Sequence, residues 1–471
     1  MELQKEFNLK TFLIFSLPIT FQIFLRNLIG LSDNFMVGIL GPNYLAGLKI
    51  ATSYYFFFII LIFAISNAGS VIASQLWGKK DLVGFKKSCG VTIFICTLIS
   101  SILALVMFFG SDLASSIMIA DKEVIKHSSA YLKIISIAFV FAGFNMGLSI
   151  SFTASGNTKS NFYQQILSTV LNIILNYLLI FGKFGFPKLG VAGAAIASVI
   201  SIGIGTIFLI FLLIKDNKNP VFKDIIIPEA KYIKEIVILG LPILVDMFFW
   251  QFAMMIYLKL IGMGGASDIA IYGVIGMFFS ILFITVSGFV AGTGILVGQL
   301  IGATLYEEAF KFAKKSLFYS IIFSFVVGGI LISLSFLIPS YFKLEGSAYF
   351  ACTVCLIILG LRQAFATTNG VVSSIIKAGK DAYTSVFITI SAFVCVGLPA
   401  TILAGPVFKT GIIGIFIAIS LEEATKAIFF YLRLNSKKWI KITKEDKITI
   451  KDEINQIESE IITKTTLLME D

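Results

Sequence analysis

The chain has 471 residues, 57% hydrophobic and only 14% charged, with a mean hydropathy of +0.95. No soluble domain of that length can bury so much apolar surface, whereas a bilayer accepts it. The net charge of +10 raises nucleic acid as a partner, but the placement of the charges argues against it. Of the 37 Lys and Arg, 25 fall at the chain start, in loops 77–88, 158–160, 215–234, 303–315 and 377–381, and from Arg433 onward, against eight in the alternate loops. This positive-inside asymmetry predicts a multi-pass protein of the cell (inner) membrane with both termini cytoplasmic. The expected partner is the lipid bilayer, and no nucleic acid is expected.

The first apolar segment, 12–39, begins directly after Lys10 without a cleavage-site pattern, so it is expected to be a retained helix. Further segments follow at 46–76, 89–110, 131–155, 161–182 and 189–214, then at 236–262, 269–300, 316–338, 348–377, 384–404 and 411–434. Each reaches the roughly 20 residues that a helix needs to cross the hydrocarbon core, and the dyad alternation of a membrane barrel is absent. The expectation is an all-α membrane protein of twelve transmembrane helices. Residues 1–214 form the first lobe, 215–231 a polar cytoplasmic linker, 232–439 the second lobe and 440–471 a hydrophilic cytoplasmic tail.

The two sets of six are copies. At a constant offset of 224, Leu17-Pro18-Ile19 meets Leu241-Pro242-Ile243, Gly38 and Gly41 meet Gly262 and Gly265, and Gln75-Leu76 and Gly78 meet Gln299-Leu300 and Gly302. Asn145 meets Asn369 and Ala154 meets Ala378; after a three-residue slip, Gly190 and Gly193 meet Gly411 and Gly414. Six is even, so each half starts and ends on the same side. The repeat is therefore parallel, with a pseudo-twofold along the membrane normal.

Enzyme motifs are missing: there is no GxxxxGK[ST] loop, no HExxH and no GxSxG, and the sole histidine, His127, falls in a loop. Cys352 and Cys355 form a CxxC inside an apolar segment, which reads as buried packing rather than as redox or zinc chemistry. Such a repeat without enzyme motifs points to gradient-driven transport, with binding between the halves.

Six fragments in order carry a family likeness: LPITFQIFLRNLIGLSDNFMVGILGPNYLAG (17–47), SQLWGKKD (74–81), FNMGLSISFTASGNTK (144–159), LNIILNYLLIFG (171–182), LGVAGAAIASVIS (189–201) and SLEEATKAIFFYLRLNSKKW (420–439). Together they resemble the multidrug and toxic compound extrusion family over nearly all of residues 10–440. The resemblance implies two six-helix lobes in a V and alternating access. It also implies export of organic, often cationic, compounds in exchange for Na⁺ or H⁺. No cofactor is implied beyond that coupling ion. Where some members carry acids on helices seven and ten, this chain has Trp250 and Ala366.

Asp33 is the sharpest candidate, because an aspartate at the centre of a membrane helix costs roughly 2.5–3.5 kcal/mol. By the family motif, Asn145, Asn172, Asn176 and Ser198 surround it; Asn172 and Asn176, four apart, share one helix face. One carboxylate among neutral oxygens suits a small monovalent cation, with Asp33 as the Na⁺ ligand, and desolvation makes a proton an equal contender. Gln22 and Arg26 lie on nearly the same stripe, and Arg26 is expected to pair with Asp246, Glu422 or Glu423. Gln22, Arg26 and Asp246, the last at the repeat position of Gln22, together with Arg362, Gln363, Asn369, Glu422 and Glu423, make up a candidate substrate or secondary charge site. Lys426 is expected to pair one glutamate and leave the other spare. The phenylalanines at 56–58, 248–249 and 278–279 are candidate cavity walls. The substrates expected are small, amphipathic or cationic organic compounds, handled by a monomer. The alternatives are a lipid-linked saccharide flippase of the related superfamily, which wants a more basic cavity, and a non-transporting receptor or scaffold.

Overall fold

The computed structural model describes residues 9–216, 220 and 222–441. Twelve long helices occur among them: α1 (Leu9–Gly38), α2 (Pro42–Gly78), α3 (Leu82–Met118), α4 (Lys122–Ala154), α5 (Thr158–Phe181), α6 (Val191–Lys215), α7 (Ala230–Gly262), α8 (Ala266–Gly302), α9 (Tyr306–Leu334), α10 (Gly346–Ala378), α11 (Ala382–Val407) and α12 (Gly411–Asn435). The first eleven are long and apolar enough to cross a bilayer; α12 has the length but carries Glu422, Glu423 and Lys426. One short helix, Phe222–Ile226, falls in the linker, and another, Ile338–Tyr341, follows α9. The rest of the expected tail, from residue 442, lies outside the described residues, as do 217–219 and 221 of the linker.

Polar side chains at the connections fix where helices begin. Asp81 accepts from the Gly84 amide (2.8 Å), Asp121 from those of Glu123 (2.9 Å) and Val124 (3.1 Å), and Asn157 from that of Ser160 (3.3 Å). Each satisfies a donor that the first helical turn leaves open. Helix α11 widens into π turns at Phe393–Gly397 and Leu403–Val407, beside Pro399 and Pro406. A proline has no N–H to give and its ring crowds the preceding turn, so local widening relieves the ladder.

Two lobes, α1–α6 and α7–α12, meet along reciprocal seams: α1 packs on α8, α2 on α7, and α2 crosses α8. This is the isologous pattern expected of a pseudo-twofold. The tightest approach is at the end of the molecule where the described chain starts and finishes. There a Cβ on Gly78 would collide with the Gln299 backbone, and one on Gly302 with the Gln75 backbone. The two glutamines then reach into the opposite lobe: Gln75 Nε2 donates to the Ala378 carbonyl (2.7 Å) and Gln299 Nε2 to that of Ala154 (2.7 Å). Apolar clusters at this end mix the lobes, joining Phe12, Phe15 and Ile19 to α8–α10, and Ala64, Ala68 and Ile72 to Tyr232, Ile236 and Leu239. Toward the opposite end the cores separate, one built from α1–α6 alone and the other from the second lobe alone. The Phe57–Phe248 ring contact (5.6 Å) lies about midway. Beyond it, no hydrogen bond, ion pair or ring contact joins the lobes among the described residues. The molecule is a V, closed at one end.

The start of the tail is packed. Trp439 is fully buried against Gly379, and Lys441 bonds the Gly379 carbonyl (3.2 Å) through its amide and Asp381 (2.9 Å) through its ammonium.

Candidate functional site

Helices α1, α5 and α6 meet near the open end of the first lobe. Asp33 lies there on the inward face of α1 and is 5% exposed. Its Oδ1 accepts from Asn176 Nδ2 at 2.6 Å; the same amide nitrogen donates to Asn172 Oδ1 at 3.0 Å, and Asn172 Nδ2 donates to Ser198 Oγ at 3.2 Å. The Asn–Asn relay follows from a four-residue spacing, which stacks two side chains on one face of α5. Asn172 and Asn176 are 0% exposed and Ser198 4%. Every hydrogen-bonding partner in the relay is neutral, and among the described residues no Lys, Arg or His pairs with Asp33. The Asn176 Oδ1 atom is enclosed without a donor. A carboxylate beside an unfilled amide oxygen offers what a small monovalent cation or a proton needs.

Four of the five expected coupling residues are thus brought together. Asn145 is not: it donates to Thr206 Oγ1 at 3.3 Å. It lies 23 residues from the open end of α4, about 35 Å by helical rise, whereas Asp33 and Asn176 each lie five residues from that end of their helices.

The expected pairing of Arg26 does not occur. Its guanidinium sits 5.9 Å from the Phe63 ring, near Tyr55, and remains exposed, with no ion pair among the described residues. The acids proposed for it have other partners. Asp246 takes Lys377 (2.7 Å), a residue of α10 that the sequence reading did not single out. Gln22 is buried one turn away on the same helix.

The second lobe holds a different arrangement. Lys426 Nζ reaches both Glu422 (3.0 Å) and Glu423 (2.5 Å). Tyr257 donates its hydroxyl to the other oxygen of Glu422, and Asn369 Nδ2 donates to the other oxygen of Glu423 at 2.7 Å. The glutamate expected to be spare is therefore engaged. Arg362 stands nearby between Phe279 and Phe416, and Gln363 donates to the Leu282 carbonyl at 3.4 Å. Tyr257 was missed, although the 224-residue offset carries Asp33 onto it, and the slipped offset carries Asn176 onto Gly397 and Ser201 onto Glu422. A Cβ at Gly397 would collide with both Glu422 and Tyr257, so only glycine leaves room for their contact.

Among the described residues no group of three or more His, Cys, Asp and Glu is placed to hold a metal ion.

The MatE family profile matches residues 18–178 and 242–403, one match in each lobe. Over 436 residues the chain is 24% identical to an uncharacterized transporter, YisQ, of Bacillus subtilis, covering 92% of this chain and 95% of that one. It is 26% identical over 432 residues to the probable multidrug resistance protein NorM of Bacillus cereus, covering 91% and 95%. Among solved structures, MATE in the straight conformation superposes with a TM-score of 0.83 at 17% identity, over 93% of this chain and 98% of that one. A MOP superfamily transporter from Pyrococcus furiosus, described as having a binding pocket of reversed polarity, gives 0.81 at 18% identity, over 93% and 98%. With both halves of the repeat matched and the V-shaped bundle reproduced, this chain belongs to the MatE family, a membrane transporter and not an enzyme.

Proposed function

We propose that the chain is a cation-coupled antiporter that exports amphipathic organic compounds by alternating access. The observation that carries this reading is Asp33: a buried carboxylate held by a neutral amide, with no positive side chain paired to it among the described residues. Leaving such a charge uncompensated is expensive in a membrane-embedded site, so a Na⁺ ion or a proton supplies the missing charge. The relatives named as probable multidrug resistance proteins support organic compounds as the exported class.

In this reading residues 1–214 and 232–439 are the moving lobes, 215–231 is the linker, and the positive-inside charge pattern puts both termini in the cytoplasm of a cell-membrane monomer. The closed end is then cytoplasmic and Asp33 is reached from outside. Neutralising Asp33 removes its demand on Asn176, α1 repacks about Pro18, and the lobes rock to release the ion inward. A ligand shifts such an equilibrium only by its differential affinity for the two states, typically 1–3 kcal/mol of coupling.

The test is dye efflux in proteoliposomes under separately imposed Na⁺ and pH gradients. Asp33→Asn is expected to abolish gradient-driven export, by about a hundredfold or more, while the protein inserts and melts normally. Export by Asp33→Asn at the wild-type rate under both gradients would overturn the reading. A second reading, a lipid-linked saccharide flippase, draws on the basic character of Arg26, exposed on α1, and of Arg362, buried in the second lobe.

A further inference from the structure

Arg362 occupies the middle of α10 and is 9% exposed. Its guanidinium carbon lies 5.6 Å from the centre of the Phe279 ring on α8 and 5.9 Å from that of Phe416 on α12. No hydrogen bond or ion pair reaches it from any described residue. Its Nε is enclosed without an acceptor. The carboxylate that acts on it through space is Glu423, but Glu423 is already held by Lys426 at 2.5 Å and Asn369 at 2.7 Å. Two turns along the same helix, Asn369 Oδ1 is also buried without a partner.

A desolvated cation of this kind is costly unless a partner compensates it. Two ring contacts offset part of that cost and hydrogen-bond none of its donors. The rings occupy the environment of the guanidinium while its N–H donors have no acceptor, and that fork matches a carboxylate, phosphate or sulfonate bidentately.

We propose that the interior of the second lobe binds an amphipathic organic anion, its oxyanion on the donors of Arg362 and its apolar body against Phe279 and Phe416. The proposal rests on the transporter reading above and narrows its substrate class. Two sources share this chemistry, a soluble organic acid and an anionic lipid headgroup. If Arg362 were instead only a through-space counter-charge for Glu422 and Glu423, its loss would lower stability and leave ligand preference untouched.

The full chain, in nanodiscs of phosphatidylcholine, is titrated calorimetrically with three probes sharing one naphthyl body: a carboxylate, its primary amide and the corresponding amine. The carboxylate is expected to bind about tenfold or more tighter than the amide. Arg362→Gln brings that ratio near one, and Arg362→Lys, which keeps the charge and loses the fork, falls between. Repeating the titration in nanodiscs containing phosphatidylglycerol separates the sources. Competition that disappears in Arg362→Gln assigns the site to a lipid headgroup, and undiminished carboxylate binding assigns it to a soluble acid. Tightest binding of the amine, or an unchanged carboxylate-to-amide ratio in a folded Arg362→Gln with a lowered melting temperature, overturns the proposal. No gradient is applied, so failure of Asp33-based coupling and failure of this site are read independently.

Discussion

The two lobes place polar groups at repeat-related positions and solve the charge problem in opposite ways. In the first lobe the helix-one position is Asp33, facing Asn176 and Asn172 with no cation attached. In the second, that position is Tyr257, the carboxylate has moved to Glu422 on α12, and Lys426 is attached to it. Lys426 engages both second-lobe glutamates, and the Arg362 guanidinium acts on Glu423 through space, whereas no cation pairs with Asp33 among the described residues. One backbone repeat thus yields a structural ion-pair network on one side and a candidate exchange site on the other. The difference is decided by where a lysine stands.

The most severe way to break this contrast is to remove the second lobe's internal cation. Lys426→Met leaves two buried carboxylates unpaired and is expected to destabilise the protein by about 3–5 kcal/mol. This is read as a large fall in melting temperature in detergent, partly restored in Glu422→Gln/Lys426→Met and further in Glu422→Gln/Glu423→Gln/Lys426→Met. A melting temperature unchanged in Lys426→Met would mean that the network is not structural. The next effect concerns the seam between the lobes. Gln75→Leu and Gln299→Leu each remove a donor from an otherwise capped helix-end carbonyl, worth about 1–2 kcal/mol, and together shift the population toward separation at the closed end. Spin-label distances across that end report the shift, and a distribution identical to wild type would show that these bonds do not hold the V closed. The smallest change sharpens the first-lobe site itself. Exchanging the partners in Asp33→Asn/Asn176→Asp moves the carboxylate by one hydrogen bond and is expected to keep gradient-driven efflux within about tenfold of wild type, because charge and burial are conserved. Complete loss in the exchange variant would mean that the position on α1, not the charge, is what matters.

Much of this architecture was legible in the residues. Helices of about 20 apolar residues have few alternatives in a bilayer, and the Pro18/Pro242, Gly78/Gly302 and Gln75/Gln299 pairs kept register because each repeat needs the same bends and close approaches. Those last two pairs marked the repeat in the sequence; only the crossing of α2 and α8 reveals them as the lobe seam. Asp33, Asn172, Asn176 and Ser198 were legible through the family resemblance, and the four-residue spacing put the two asparagines on one helix face. Asn145 falls away from this group because it sits 23 residues down α4 from the open end, where it bonds Thr206 instead. The partner of Arg26 was not legible, since hydropathy and spacing fix a residue's depth but not its rotation toward a neighbouring helix; Lys377 and Lys426 claimed the acids first.

The most direct measurement is the uptake of positive charge by purified protein, counted as radiolabelled sodium bound plus protons taken up in a dye-monitored titration. The account predicts that wild type and Glu422→Gln take up a compensating cation that folded Asp33→Asn does not. Equal uptake by wild type and Asp33→Asn would contradict it.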